Sequence, residues 1–193
     1  TTTRDTLSLH DALPIYLDEL IKAQDSSGGI IECIADGLPV GIGEPVFDKL
    51  DALLAHAVMS IGAVKAVEIG DGTGAALAKG SENNDAFRMK EGSISKETNH
   101  SGGTLGGFSD GSRLILRASV KPTPSISREQ HTVTTDGNEE DIVIRGRHDP
   151  VIVPRAVVVV ESMVAVTLTD LILQNLSSRM DHLKKIYTPK GTP

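Results

Sequence analysis

Two short segments hold the side chains best suited to chemistry. Gly146-Arg147-His148-Asp149-Pro150 sets a fork-shaped cation, an imidazole and a carboxylate in three successive positions between an extended stretch and a helix start. A guanidinium and a helix amino terminus both favour anions. The same residues admit a plainer reading, in which Asp149 caps helix N–H groups and Arg147 pairs with a nearby acid. Lys121-Pro122-Thr123-Pro124-Ser125 follows directly on an alternating stretch. Its prolines hold the backbone extended and leave an ammonium and two hydroxyls free to meet an anion or a ring carbonyl; its plainer reading is a rigid exposed turn. A third feature is the set of paired glycines Gly102, Gly103, Gly106 and Gly107, which favour a backbone that approaches a ligand closely.

Several reaction classes lack their motif. There is no P-loop, Gly41 and Gly43 lack the third glycine of a dinucleotide fingerprint, and neither HExxH nor GxSxG occurs. His56 falls in a predicted helix, while His10, His131 and His182 have no ligand-spaced partner, so no metal site is expected. Cys33 is the only cysteine. It excludes an internal disulfide and a four-thiolate site, and its alternating apolar surroundings predict a buried structural thiol in a reducing compartment.

The 193 residues carry 19 Lys plus Arg against 26 Asp plus Glu, a net charge of −7. That balance argues against a bulk attraction to nucleic acid or to an anionic membrane, and 3% aromatic residues do not suit a base-stacking platform. The most apolar stretch, 151–176, is interrupted by Pro154, Arg155, Glu161 and Asp170, so no transmembrane helix is expected. Residues 1–16 include Asp5 and Asp11 and lack an apolar core, which argues against a secretory signal; cytoplasm is the expected location.

The elements that must position these loops follow from periodicity. Helices are predicted at 17–23, from Pro45 at the first helical position through Ile61, and for roughly 24 residues from Pro154, with Glu161, Asp170 and Gln174 facing water. Strands are predicted at 30–35, across Val64, Val67 and Ile69, at 113–120 with Leu114, Leu116, Ala118 and Val120 on one face, and at 141–145. Residues 70–111 hold ten of the 19 glycines and read as a long functional loop; 121–130 read as a second loop. No repeat appears, and the order of elements suits an α+β protein of antiparallel-type sheets with packed helices.

Five blocks of this sequence resemble the chorismate synthase family, in the family's order and over its carboxy-terminal portion. They are Gly41-Ile42-Gly43-Glu44-Pro45-Val46-Phe47-Asp48 with its continuation to Ala52; Ala63-Val64-Lys65-Ala66-Val67-Glu68-Ile69-Gly70-Asp71-Gly72; Asn99-His100-Ser101-Gly102-Gly103-Thr104-Leu105-Gly106-Gly107; the Lys121 to Ser125 segment; and the Gly146 to Pro150 segment leading into Pro154-Arg155-Ala156 and Glu161-Ser162-Met163. The resemblance covers about Leu17 to the end of the long helix. It implies part of a β-α-β sandwich, and it implies 1,4-anti elimination of phosphate from 5-enolpyruvylshikimate 3-phosphate, giving chorismate with reduced FMN (FMNH2) and no net redox change.

Carried over by motif, Gly62, Ala63, Gly106, Lys121, Pro122, Thr123, Pro124, Ser125 and Arg147 fall where the family contacts FMN. Asp149 matches the aspartate that assists proton transfer at flavin N5, and is the one expected catalytic residue. The resemblance further implies a cytoplasmic homotetramer for a full-length member, with no nucleic acid or membrane partner; whether the chain also reduces its flavin stays open. Ser101 and Thr73 depart from the family's frequent Ala and Phe. Family chains are about twice as long, and their two histidine acids, an Arg-Ser-Ser flavin segment and several substrate-binding arginines have no counterpart here; His100 and His148 do not inherit those roles. The expected division is residues 1–16 outside the family, resembling translated sequencing-adapter read-through and so a truncated gene model, then a family portion at 17–180 and a tail at 181–193. Two functions are expected to compete: an incomplete and by itself inactive portion of the enzyme, and a noncatalytic module for flavin or phosphate-ligand binding or assembly. The premise of the first is that the glycine, lysine and arginine loops converge on one crevice.

Overall fold

The alternation at 113–120 marks the strand around which the chain is built. In the computed structural model, which describes residues 9–90, 92–146, 148–178 and 180–187, strand β7 (Leu114–Val120) alternates buried and half-buried side chains along its whole length. It is the middle strand of an antiparallel sheet, between β1 (Gly29–Ala35) and β2 (Val64–Ile69). The β1 register runs from Gly29 opposite Val120 to Ala35 opposite Leu114. The β2 register runs from Val64 opposite Val120 to Ile69 opposite Leu116 and slips between Val64 and Ala66. That bulge explains why Val64, Val67 and Ile69 do not keep strict period-2 spacing. One extra residue changes the phase of the strand, so Val64, Val67 and Ile69 stand opposite Val120, Ala118 and Leu116.

Two helices cover the inner face. Helix α2 (Leu50–Met59) buries Leu50, Leu54 and Val58 at four-residue spacing, and α4 (Val153–Ser178) buries Val160, Val164, Leu168 and Leu171. These side chains form one core with Ile31, Leu114, Leu116, Ala118 and Val120; α4 packs on β1 and on α2. The protein is thus a mixed helix and strand fold of small antiparallel sheets with packed helices, the class expected from the sequence. Helix α4 is also long and apolar enough, by length and composition, to cross a membrane, with a mean hydropathy of 2.1 over its best window. Its buried stripe nevertheless belongs to the core. Glu161, Asp170 and Gln174 are exposed, as expected.

Other boundaries differ from the sequence reading for local reasons. Helix α2 starts at Leu50 and not at Pro45: the Glu44 amide bonds back to the Asp48 carbonyl at 3.0 Å, and the Leu50 amide donates to the Gly107 carbonyl at 2.8 Å. A partner distant in sequence therefore ends the loop. Helix α1 is longer than expected, Leu9–Ala23 with Pro14 inside, and α5 (Met180–Tyr187) runs from the last residue of the expected family portion into the expected tail. The glycine-rich 70–111 stretch is not one loop. It contains a 3₁₀ turn (Gly72–Leu77), a short α3 (Gly80–Asn83), and the hairpins β3 (Phe87–Lys90) with β4 (Ser93–Lys96) and β5 (Thr104–Leu105) with β6 (Phe108–Ser109). The strand expected at 141–145 is β9 at Glu139–Ile142, paired with β8 (Gln130–Val133).

Candidate active site

The predicted loops fall into two groups, at the two ends of β7. At its carboxy end, the Lys121 amide donates to the Ala63 carbonyl at 2.9 Å, so Gly62-Ala63 and Lys121 are neighbours. Ala63 has φ +71, a left-handed conformation that costs a non-glycine residue about 1–2 kcal/mol. The segment 26–28 lies alongside: the Ser26 hydroxyl donates to the Thr123 carbonyl at 2.6 Å. A Cβ on Gly28 would lie 2.2 Å from the Val120 carbonyl oxygen, so only glycine permits this approach. On its other side the Ser27 amide donates to the Pro150 carbonyl at 2.9 Å, and Ser27 bridges Val151. Lys121–Ser125 and His148–Pro150 are therefore brought together across one short turn.

Between them opens a cavity of about 320 Å³, lined among others by Ser26, Ser125, Ser127, Gly146, His148 and Asp149. That volume lies at the lower end of small-molecule sites. Asp149 accepts from Arg155 Nη1 at 2.5 Å, and the first α4 amides, Arg155 and Ala156, donate to the Ile152 carbonyl; Asp149 is thus paired with an arginine six residues on. His148 Nε2 lies 3.2 Å from the Ile144 carbonyl oxygen, a distance at which the ring donates through Nε2. The Thr123 Oγ1 is buried with no hydrogen-bond partner among the described residues. Lys121 is exposed and forms no salt bridge among the described residues. An orphaned hydroxyl and an ammonium without an ion pair, two residues apart on one loop, are donors that suit a phosphate- and carbonyl-bearing ring. In this respect the Lys121–Ser125 segment fits a flavin nucleotide. Arg147 lies outside the described residues.

Gly106 belongs to the other group. It turns the β5–β6 hairpin with φ +62, beside Gly107, whose carbonyl caps the start of α2. A seven-residue strand separates this end from Lys121 by about 20 Å, so within the described chain Gly106 does not share the cavity with Ser125 and Asp149. Neighbouring glycines meet the chain itself: a Cβ on Gly102 would lie 2.2 Å from the Gly70 amide nitrogen, on Gly103 2.7 Å from the Arg113 carbonyl oxygen, and on Gly107 2.6 Å from the Lys49 side chain, whereas one on Gly106 meets nothing within 4 Å. Of the four paired glycines, only Gly106 leaves open space for a ligand.

A buried ionic cluster stands at this same end and carries no sequence signal. The side chains of Lys96, Asp85 and Asp110 are each 4% exposed. Lys96 Nζ bonds to Asp110 and lies 3.6 Å from Asp85. Burial pushes the Asp85 carboxyl up in pKa, but amide bonds from Ser101 and His100 and hydroxyl bonds from Thr98 and Ser101 outweigh it and hold the group well below the ordinary carboxylate range. Asp110 is likewise lowered: burial opposes, and bonds from Lys96 and Ser112 prevail. His100 Nδ1 sits 2.9 Å from Asp85. Among the described residues no group of His, Cys, Asp and Glu could hold a metal ion. Cys33 is half-buried and not buried as the sequence predicts; burial first, then the Glu161 charge, pushes its thiol up.

The geometry is that of a small α+β domain with a cavity at one end of its sheet, lined by serines, His148 and two carboxylates, Asp25 and Asp149. Comparison with known proteins makes this specific. The chorismate synthase family model matches residues 6–173. Chorismate synthase of Agathobacter rectalis is 62% identical over 172 residues, covering 89% of this chain and 47% of the relative. That of Lachnoclostridium phytofermentans is 62% identical over 173 residues, and that of the methanogen Methanococcoides burtonii 57% over 164, covering 83% and 45%. A solved structure described as a crystal structure of chorismate synthase superposes with a TM-score of 0.71 at 32% identity, covering 90% of this chain and 46% of its own. The chain belongs to the chorismate synthase family, and spans about half the length of the relatives it matches.

Proposed function

We propose that this chain is one half of a chorismate synthase, a lyase of aromatic amino acid biosynthesis. The whole cytoplasmic, homotetrameric protein would remove phosphate from 5-enolpyruvylshikimate 3-phosphate by 1,4-anti elimination with reduced FMN. The observation that carries the reading is the meeting of Ser125, at the end of the Lys121–Ser125 segment, with Asp149 around one cavity, in a chain that belongs to this family. When bound, reduced flavin would supply electron density to the substrate as its carbon–oxygen bond to phosphate breaks, and a basic ring nitrogen. The chain's own part is to hold and to move a proton. The Thr123 hydroxyl and the Lys121 ammonium would bind ring or phosphate oxygens, with Gly62, Ala63, Pro122, Pro124 and Ser125 shaping the contact and Arg147 adding a cation to it; Gly106, at the other end of β7, lies outside this cavity. The Asp149 carboxylate, oriented by Arg155, would serve as the proton acceptor beside a bound reduced flavin.

The test separates the two functions. The 193-residue chain is titrated with FMN under reducing conditions, and assayed for chorismate with and without the complementary half of the Agathobacter rectalis relative. We expect weak FMN binding and no chorismate from the chain alone, and chorismate formation after the complementary half is added. Tight FMN binding by the chain alone, indifferent to the added half and without turnover, would instead identify a noncatalytic binding module.

A further inference from the structure

The loop that carries Lys121 and Thr123 has little of its own to hold it in place. Pro122 and Pro124 have no amide to donate, and among the described residues one backbone bond lies within 121–128, from the Ile126 amide to the Pro124 carbonyl at 3.2 Å. The same prolines stiffen its middle. Pro122 fixes its own φ, and Thr123, which precedes Pro124, is confined to extended backbone. Residues 122–124 therefore move as one body, and contacts from outside the loop orient that body.

These contacts come from the turn between α1 and β1. The Gly28 backbone lies close to Pro122, where an added Cβ would stand 3.2 Å from Cδ. The Ser26 hydroxyl reaches the Thr123 carbonyl, and Arg128 Nη1 donates to Asp25 Oδ2 at 3.4 Å. Asp25 also holds the turn: its Oδ1 accepts from the Ser26 amide at 2.8 Å, and its own amide donates to the Leu20 carbonyl at 3.0 Å. On the far side Ser27 is tied to Pro150, the residue after Asp149. The turn thus spans from Thr123 to the neighbour of Asp149. Thr123 presents its carbonyl to Ser26 and keeps a buried Oγ1 without a partner among the described residues. Both atoms hang on one Cα of restricted backbone, so fixing the carbonyl fixes the hydroxyl.

We infer that Ser26 and Asp25 are positioning residues of the flavin site. Ser26 acts through Thr123 and Asp25 through Arg128, and together they set where the Thr123 hydroxyl stands relative to Asp149. The inference rests on the flavin reading given above.

Binding of reduced FMN is measured by anaerobic equilibrium dialysis on the 193-residue chain combined with the complementary half of the Agathobacter rectalis relative. Ser26→Ala should weaken binding about tenfold, while Ser26→Thr, which keeps a hydroxyl, should stay within about threefold of the parent. Asp25→Asn retains an acceptor for the Ser26 amide and loses the charge facing Arg128, so its loss should be about threefold. Ser26→Cys keeps the volume with a poor donor and serves where alanine leaves the chain unfolded by circular dichroism. The decisive measurement is a double-mutant cycle. With Thr123→Val already in place, Ser26→Ala should add less than about a twofold loss, because the hydroxyl it positions is gone. A bond that only stabilises the fold would lower the thermal midpoint without that dependence on Thr123. Without flavin, hydrogen exchange of the Ile126 amide should quicken in Ser26→Ala. FMN binding by Ser26→Ala as tight as the parent's, or an equal loss with and without the Thr123 hydroxyl, would overturn the inference and leave the flavin reading standing. Absence of FMN binding by the parent protein would remove the flavin reading itself, and this role with it.

Discussion

Lys96 is a cation sealed between two carboxylates, and its removal leaves both of them buried with only their amide and hydroxyl bonds to offset the charge. Lys96→Met is expected to cost about 3–5 kcal/mol, read as a lower denaturant midpoint with unchanged slope. The pH dependence has a definite sign. Asp85 and Asp110 have folded pKa values below their unfolded ones; their contribution is complete above the unfolded range and is lost as pH falls toward the folded values. The thermal midpoint should therefore decline on acidification below about pH 4, and the Asp85→Asn chain should show a flatter acid limb. Asp149 gives the functional counterpart. In the protein reassembled from both halves, Asp149→Asn should lower turnover about 10²–10⁴-fold while leaving FMN affinity within about threefold. None of the Lys96 cluster was legible in the sequence, because its members stand in polar runs where spacing gives no hint of burial. Asp149 was legible only through a motif, and Arg155, which holds it, stood out only as a break in the apolar stretch and as part of the block that follows that motif.

At the scale of elements, a glycine can be required for two different reasons, and substitution separates them. Gly102→Ala places a methyl against the Gly70 backbone at a left-handed position, and should cost about 2–4 kcal/mol. Gly106→Ala has the same backbone strain and no clash, so its cost should be about 1 kcal/mol. Equal thermal shifts for the two variants would refute the packing described for Gly102. The alternation of β7 and the four-residue spacing inside α2 and α4 were readable because one face of each is buried along its whole length. The hairpins at 87–96 and 104–109 were not: their strands are two to four residues long, too short for a period to register. The start of α2 was missed because its first amide is capped by Gly107, a residue that local spacing cannot nominate.

For the whole molecule, the sheet sets the order of assembly. Gly29 waits for Val120 and Val64 waits for the same residue; both outer strands are synthesised long before the one strand that joins them. Neither β1 nor β2 gains a ladder until β7 has left the ribosome, so the chain must hold open two long loops before any reward arrives. Conservative truncations in β7, such as Leu116→Ala, should therefore slow refolding, whereas Val133→Ala in the peripheral hairpin should leave the refolding rate almost unchanged. A nascent polypeptide stalled just short of Leu114 would present two apolar strands with nothing to zip onto, the stage at which it is most in need of a chaperone.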